Sequence, residues 1–150
     1  MVDPGYALHH VGIAVADIAS RGAEMVERFG YVAETDVIED PAQTAFVRFF
    51  LQPGGTHWVE LVMPNGPGSK LEGAVRKGQT LHHLCYEVTD IEAAARHLRE
   101  SSMFMMGPPA PAVAFGGRPI AWFLDRAGML VELVEAGPGP LQLATLTRRP

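Results

Sequence analysis

One phrase occurs twice in this chain. It reads LHHVGIAVADI from Leu8 and LHHLCYEVTDI from Leu81. At an offset of 73 residues, Leu8, His9, His10, Val15, Asp17, Ile18 and Glu27 meet the identical Leu81, His82, His83, Val88, Asp90, Ile91 and Glu100. A second echo lies downstream, Val59-Glu60-Leu61-Val62 against Val131-Glu132-Leu133-Val134. Glu60 follows His10 by 50 residues, and Glu132 follows His83 by 49. Either motif alone recurs by chance. Both recurring at matched spacing indicate a tandem duplication, and such self-similarity constrains the fold more than any local propensity does.

The hydrophobic period changes in the same order within each half. LHHVGIAV is short, apolar and β-branched, which predicts a strand. Asp17 is placed to cap a helix with Ile18, Gly22, Met25, Val26 and Phe29 along one stripe, ended by Gly30. In the second half Asp90 caps, and Ile91, Ala94, Ala95 and Leu98 form the stripe. Strands are predicted over Val32–Ile38, Ala45–Gln52 and Trp58–Met63, and again over Phe104–Met106, Ile120–Leu124 and Met129–Glu135. The expected fold is α+β: two tandem βαβββ units, about 7–63 and 80–135, forming one cupped mixed sheet in a single domain over 1–136. A Gly/Pro-rich connector at 64–79 has room for a short helix near Ser69–Arg76. A tail follows at 137–150, in which Leu141, Leu143 and Leu146 offer apolar contacts.

Composition narrows the function. The chain has 150 residues, 47% of them hydrophobic and 19% charged, enough for one core. Its net charge is −5, and adjacent basic residues are limited to Arg76-Lys77 and Arg148-Arg149, so no nucleic-acid partner is expected. The start lacks the features of a signal peptide, and no apolar run approaches the roughly 18 residues of a membrane span. The single cysteine, Cys85, forms no disulfide within the chain. A soluble cytoplasmic protein is expected.

Strand alternation puts His10 on one face with Gly12 and Ala14, opposite Val11, Ile13 and Val15. His83 shares its face with Cys85 and Glu87. Glu60 and Glu132 stand inside apolar strands, where a carboxylate is costly unless paired or coordinated. Two such glutamates, each matched to a strand histidine, predict that His10, Glu60, His83 and Glu132 converge on one cation. A nitrogen and oxygen set without thiolate suits Ni, Co, Zn, Mn or Fe as a divalent ion. By parity His9 and His82 face the helix layer, and His57 and His97 lie outside the set.

At this point the chain resembles the vicinal oxygen chelate superfamily over about Ala7 to Glu135, with FLDRAGMLVELVE similar to its closing signature. Within it, LHHVGIAVADI, VELVMP and LHHLCYEVTDIEAAARHLRE look most like methylmalonyl-CoA epimerases. The resemblance implies a cupped sheet around one divalent metal on His10, Glu60, His83 and Glu132, and a homodimer. It also implies α-proton abstraction from an acyl thioester, with Glu132 or Glu60 as the base. Trp58 and Trp122 are candidates to line the cup, and Arg118 to hold a substrate carboxylate or phosphate. Two departures stand out. Those epimerases often carry Gln at the position of Glu60, and the complete His-Glu-His-Glu set is instead similar to bacterial glyoxalase I. Their second acid/base glutamate also has no counterpart in QTAFVRFFLQ, where Gln43, Asp40 and Glu39 are the nearest candidates. The alternatives are therefore a glyoxalase I-type lactoylglutathione lyase and a non-catalytic small-molecule binding or resistance protein of the same fold.

Overall fold

Two long strands of the repeated phrase, β1 (Ala7–Ala14) and β6 (Leu81–Val88), lie antiparallel at the centre of the sheet. The computed structural model describes residues 5–78 and 80–136. Gln79 of the connector and the tail at 137–150, with its leucines and Arg148-Arg149, lie outside the described residues. After β1 come α1 (Ile18–Phe29), β2 (Val32–Ala33), β3 (Ile38–Asp40), β4 (Ala45–Leu51) and β5 (Trp58–Pro64). The connector holds α2 (Glu72–Arg76). After β6 come α3 (Ile91–Glu100), β7 (Phe104–Met105), β8 (Ala110–Pro111), a 3-10 turn at Val113–Phe115, β9 (Pro119–Leu124) and β10 (Leu130–Glu135).

The fold is α+β, with one mixed sheet ordered β2-β4-β5-β1-β6-β10-β9-β7; β3 pairs with β4 and β8 with β9. The order mirrors itself about the β1–β6 seam. β1 runs parallel to β5 as β6 runs parallel to β10. β4 is antiparallel to β5 as β9 is to β10. Each duplicated half thus builds one wing, and the repeated phrase forms the hinge line between them.

Alternation assigns the two faces. On the helix side, Val15, Ile18, Met25, Phe50 and Leu61 form one cluster under α1. Val88, Ile91, Ala94, Ala95, Phe123 and Leu133 form its counterpart under α3. The other face carries a third cluster, including Phe49, Val62, Cys85, Phe115 and Val134. Asp17 caps α1, accepting from the Ala19 and Ser20 N–H groups, and Gly30 ends it in the left-handed conformation at φ 72°. Asp90 caps α3 by accepting from the Ala93 N–H. No described helix is long and apolar enough to cross a membrane.

The secondary-structure elements depart from expectation in four places. The predicted strand Val32–Ile38 is broken. Thr35 turns inward and is fully buried; its Oγ1 accepts from the Phe49 N–H at 3.2 Å and its carbonyl from Arg48 Nε at 2.8 Å, which separates β2 from β3. The α1 stripe is narrower than predicted, because Val26 and Phe29 are 46% and 63% exposed. The connector helix starts at Glu72 rather than Ser69, whose hydroxyl instead donates to the Thr44 carbonyl at 2.6 Å. The proline-rich stretch before β9 contains β8 and the 3-10 turn, which no hydrophobic period announced.

Candidate metal centre

The strand register brings the four predicted ligands to the seam. Gly12 of β1 stands between its partners His83 on β6 and Glu60 on β5. Cys85 of β6 stands between His10 on β1 and Glu132 on β10. Gly12 and Cys85 correspond at the 73-residue offset, so each histidine ring rises beside the small residue of the opposite half. The fit is tight, since a Cβ built on Gly12 falls 2.1 Å from His83 Cε1. Phe49 packs edge-on to His10 at 5.3 Å and Trp122 to His83 at 4.9 Å. These two aromatics also correspond at the same offset. No local pattern around Phe49 separates it from ordinary core.

All four side chains are buried, His10 and His83 almost completely. His10 Nε2 and His83 Nε2 lie 3.0 Å apart. His10 Nε2 is 3.4 Å from Glu60 Oε1 and 3.3 Å from Glu132 Oε1; His83 Nε2 is 3.2 and 3.5 Å from the same atoms. Ligands about 2.1 Å from one ion stand roughly 3.0 Å apart at right angles and about 3.4 Å apart at tetrahedral angles, so these spacings suit a shared divalent cation. Glu132 Oε1 is buried yet accepts no hydrogen bond, an arrangement that a cation would satisfy. The donor set and the geometry therefore fit a metal.

Electrostatics say the same. Burial alone would deprotonate His10 and His83, but Glu60 and Glu132 outweigh it. His10 is raised above its ordinary value and His83 is raised to about 9. Burial opposes ionisation of Glu60 and Glu132, yet the two histidines hold both below the usual carboxylate range. Without a cation, protons on the imidazoles balance the carboxylates. A divalent ion held there would replace them, with release of protons.

His9 and His82 do not face the helix layer. The β1–β6 ladder is irregular twice. Leu8 pairs with Tyr86 and His10 with Cys85, which leaves His9 as an extra residue; Gly12 pairs with His83 and Ile13 with Leu81, which leaves His82 as another. A bulge breaks strand parity and lays each ring against the neighbouring predicted ligand. His9 Nδ1 is 2.8 Å from His10 Nδ1, and His82 Nδ1 is 2.8 Å from His83 Nδ1. Burial and the neighbouring histidine lower His9 to about 3 and His82 to about 4, so both rings are neutral near pH 7.

A cavity of about 660 Å³ opens over the quartet, within the usual range of a small-molecule site. Glu60, His83, Glu132, His82 and Trp122 reach it, with Asp40 and Gln43 of the first half and Lys70 of the connector also on its wall. Trp58 packs edge-on against His9 at 4.7 Å and is outside that lining. Arg118 is also outside it, with a buried Nη1 that has no hydrogen-bond partner. Cys85 is fully buried, and burial raises its thiol pKa well above the ordinary value. His57 is exposed, and His97 accepts or donates through Nδ1 to Tyr6 Oη at 2.9 Å. Of the two acids upstream of β4, Glu39 is exposed and Asp40 is buried. Burial raises the Asp40 pKa, the Gln43 N–H opposes this, and Glu60 and Glu132 add to the rise.

Residues 9–122 match the family profile of the Glyoxalase/Bleomycin resistance protein/Dioxygenase superfamily. The chain is 34% identical over 130 residues to an ethylmalonyl-CoA/methylmalonyl-CoA epimerase of Cereibacter sphaeroides, covering 84% of this chain and 95% of the relative. It is 30% identical over 133 residues to the mitochondrial methylmalonyl-CoA epimerase of Homo sapiens, covering 86% and 73%. The crystal structure of methylmalonyl-CoA epimerase from Mycobacterium tuberculosis superposes with a TM-score of 0.79 at 24% identity, covering 92% of this chain and 94% of that one.

Proposed function

The chain belongs to the glyoxalase/bleomycin resistance/dioxygenase superfamily and, within it, to the methylmalonyl-CoA epimerase family of enzymes, and we propose that it inverts the α-carbon of a 2-alkylmalonyl thioester at the His10-Glu60-His83-Glu132 centre. The observation that supports this reading is the buried quartet opening into a cavity that also holds a second, separate carboxylate, Asp40. A bound divalent cation would supply Lewis-acid stabilisation to negative charge on a carbonyl oxygen. His10, Glu60, His83 and Glu132 would hold that ion.

The remaining work belongs to side chains. Inversion requires a proton to leave one face of the α-carbon and another to arrive on the opposite face. Glu132 reaches the cavity from the second half and Asp40 from the first. Glu132 takes or returns the proton at a carboxylate oxygen on its side, and Asp40 does the same at its own carboxyl. Asp40 thus fills the role that QTAFVRFFLQ left vacant. Its raised pKa suits a group that must both hold and release a proton. Trp122 and the apolar lining exclude water, while Lys70 offers positive charge to the thioester's carboxylate or carrier. A homodimer, a cytoplasmic setting and a CoA carrier are parts of the same proposal.

The complete His-Glu-His-Glu set supports one other reading, a glyoxalase I-type isomerisation. The test is to offer the metal-loaded enzyme single epimers of methylmalonyl-CoA and ethylmalonyl-CoA beside the glutathione hemithioacetal of methylglyoxal. We expect inversion of the malonyl thioesters and no turnover of the hemithioacetal. The reverse pattern overturns the proposal in favour of the lyase, and turnover of neither overturns both.

A further inference from the structure

The duplicated His-His pair contains one histidine more than the metal quartet uses, twice over. Both extra rings are bulge residues of the same ladder, and both meet the neighbouring predicted ligand Nδ1 to Nδ1 at 2.8 Å. The ring pairs are also alike, with centroids 5.1 and 5.0 Å apart and planes at 81° and 85°. Aromatic neighbours hold them there. His9 is packed by Trp58 and Phe115, and His82 faces Trp122. Two unrelated packing accidents do not reproduce one hydrogen-bond geometry in both halves.

We propose that His9 and His82 are positioning residues, each accepting a hydrogen bond at Nδ1 from the Nδ1–H of the adjacent ligand histidine and thereby keeping that ligand's Nε2 bare toward the cation. The inference rests on the reading of the quartet as a divalent-metal site. Two Nδ1 atoms at 2.8 Å share one proton. A neutral imidazole that binds a cation through Nε2 carries its proton on Nδ1, so His10 and His83 are the donors and their neighbours the acceptors. The proton of His9 then sits on Nε2, the atom found buried without a partner. That orphan has a cost, which is understandable if the ring is held for its other nitrogen.

The choice of acceptor matters for chemistry. Metal-bound histidines are commonly backed by a carboxylate or a carbonyl. Here Glu60 and Glu132 already cancel the charge of a divalent ion. Two further carboxylates behind the histidines would make the centre anionic and weaken its pull on a carbonyl oxygen. Neutral imidazoles orient the ligands and add no charge.

The test substitutes each residue in two ways. His9→Phe and His82→Phe keep a ring but remove the acceptor; His9→Asn and His82→Asn keep an acceptor near the Nδ1 position. Co²⁺ affinity is measured on the full chain by competition with a chromophoric chelator. We expect each Phe variant to weaken binding 10- to 100-fold and each Asn variant to recover most of it. Phe variants that bind Co²⁺ as wild type does overturn the proposal and reduce the rings to packing. If a Phe variant fails to fold, long-range ¹H–¹⁵N spectra of Zn²⁺-loaded wild type decide. Nε2–H tautomers at His9 and His82 support the proposal, and Nδ1–H tautomers overturn it. Absence of Co²⁺ binding by wild type sinks the metal reading beneath it. Loss of epimerase activity with Co²⁺ affinity intact bears on the proposed function alone.

Discussion

At the residue scale the convergence of His10, Glu60, His83 and Glu132 was legible because burying a carboxylate in an apolar strand demands a partner. Glu60 and Glu132 carried that signal with no help from structure. His9 and His82 did not, since strand parity is the rule that reads such positions and a bulge suspends it. Asp40 was visible only as one of several nearby acids; alternation along β3, with Ile38 and Asp40 buried and Glu39 exposed, decides which of the two reaches the cavity. The division of labour gives two expectations. Glu132→Gln retains an oxygen ligand but no base, and should lower α-proton exchange on the order of 10²–10⁴-fold, whereas Glu60→Gln should be tolerated better, as measured by exchange per bound metal. Asp40→Asn should separate two observables: one epimer still exchanges its α-proton with D₂O at Glu132, while inversion falls. Equal loss of exchange for both epimers in Asp40→Asn would remove Asp40 from the mechanism.

At the element scale, the two strand–helix units were readable because period 2 gives way to period 3.6 at the same point in both halves. The caps are equally local: Asp17→Ala or Asp90→Ala should each cost about 1 kcal/mol in denaturant unfolding, with metal affinity unchanged. β8 and the 3-10 turn escaped notice because prolines and small residues impose no period, yet they deliver Phe115 against His9 and His10. The seam itself is the most sensitive element. Gly12→Ala places a methyl where the His83 ring stands, so the ring must move. We expect the chain to fold with near-native circular dichroism and to lose divalent-metal binding.

At the scale of the whole molecule, the duplication sets the architecture: each half supplies one histidine and one glutamate to the quartet, so the proposed ion would draw on both halves. The sheet ends at β2 and β7, where Val32 and Phe104 are exposed, and light scattering should show a homodimer at micromolar concentration. Charge at the seam also governs stability. His83 has a folded pKa raised from 6.5 to about 9, so its contribution to the metal-free protein is complete below about pH 6.5 and is lost as pH rises through about 9. Glu60 is shifted downward from 4.5, so its contribution is present above about pH 4.5 and is lost in more acidic solution. Metal-free protein should therefore be most stable between these limits. Metal-loaded protein should hold its stability past pH 9, because the cation has already displaced the proton.

On the proposed function, one divalent ion at this seam makes the chain an α-proton exchange catalyst. The direct measurement titrates Co²⁺ into chelator-stripped protein in D₂O and follows deuterium entering C2 of methylmalonyl-CoA by mass spectrometry. Exchange should be near zero without metal, rise in proportion to occupancy, and saturate at one ion per chain. Full exchange by the metal-free protein, or a saturated site with no exchange, would rule out metal-dependent exchange at the seam.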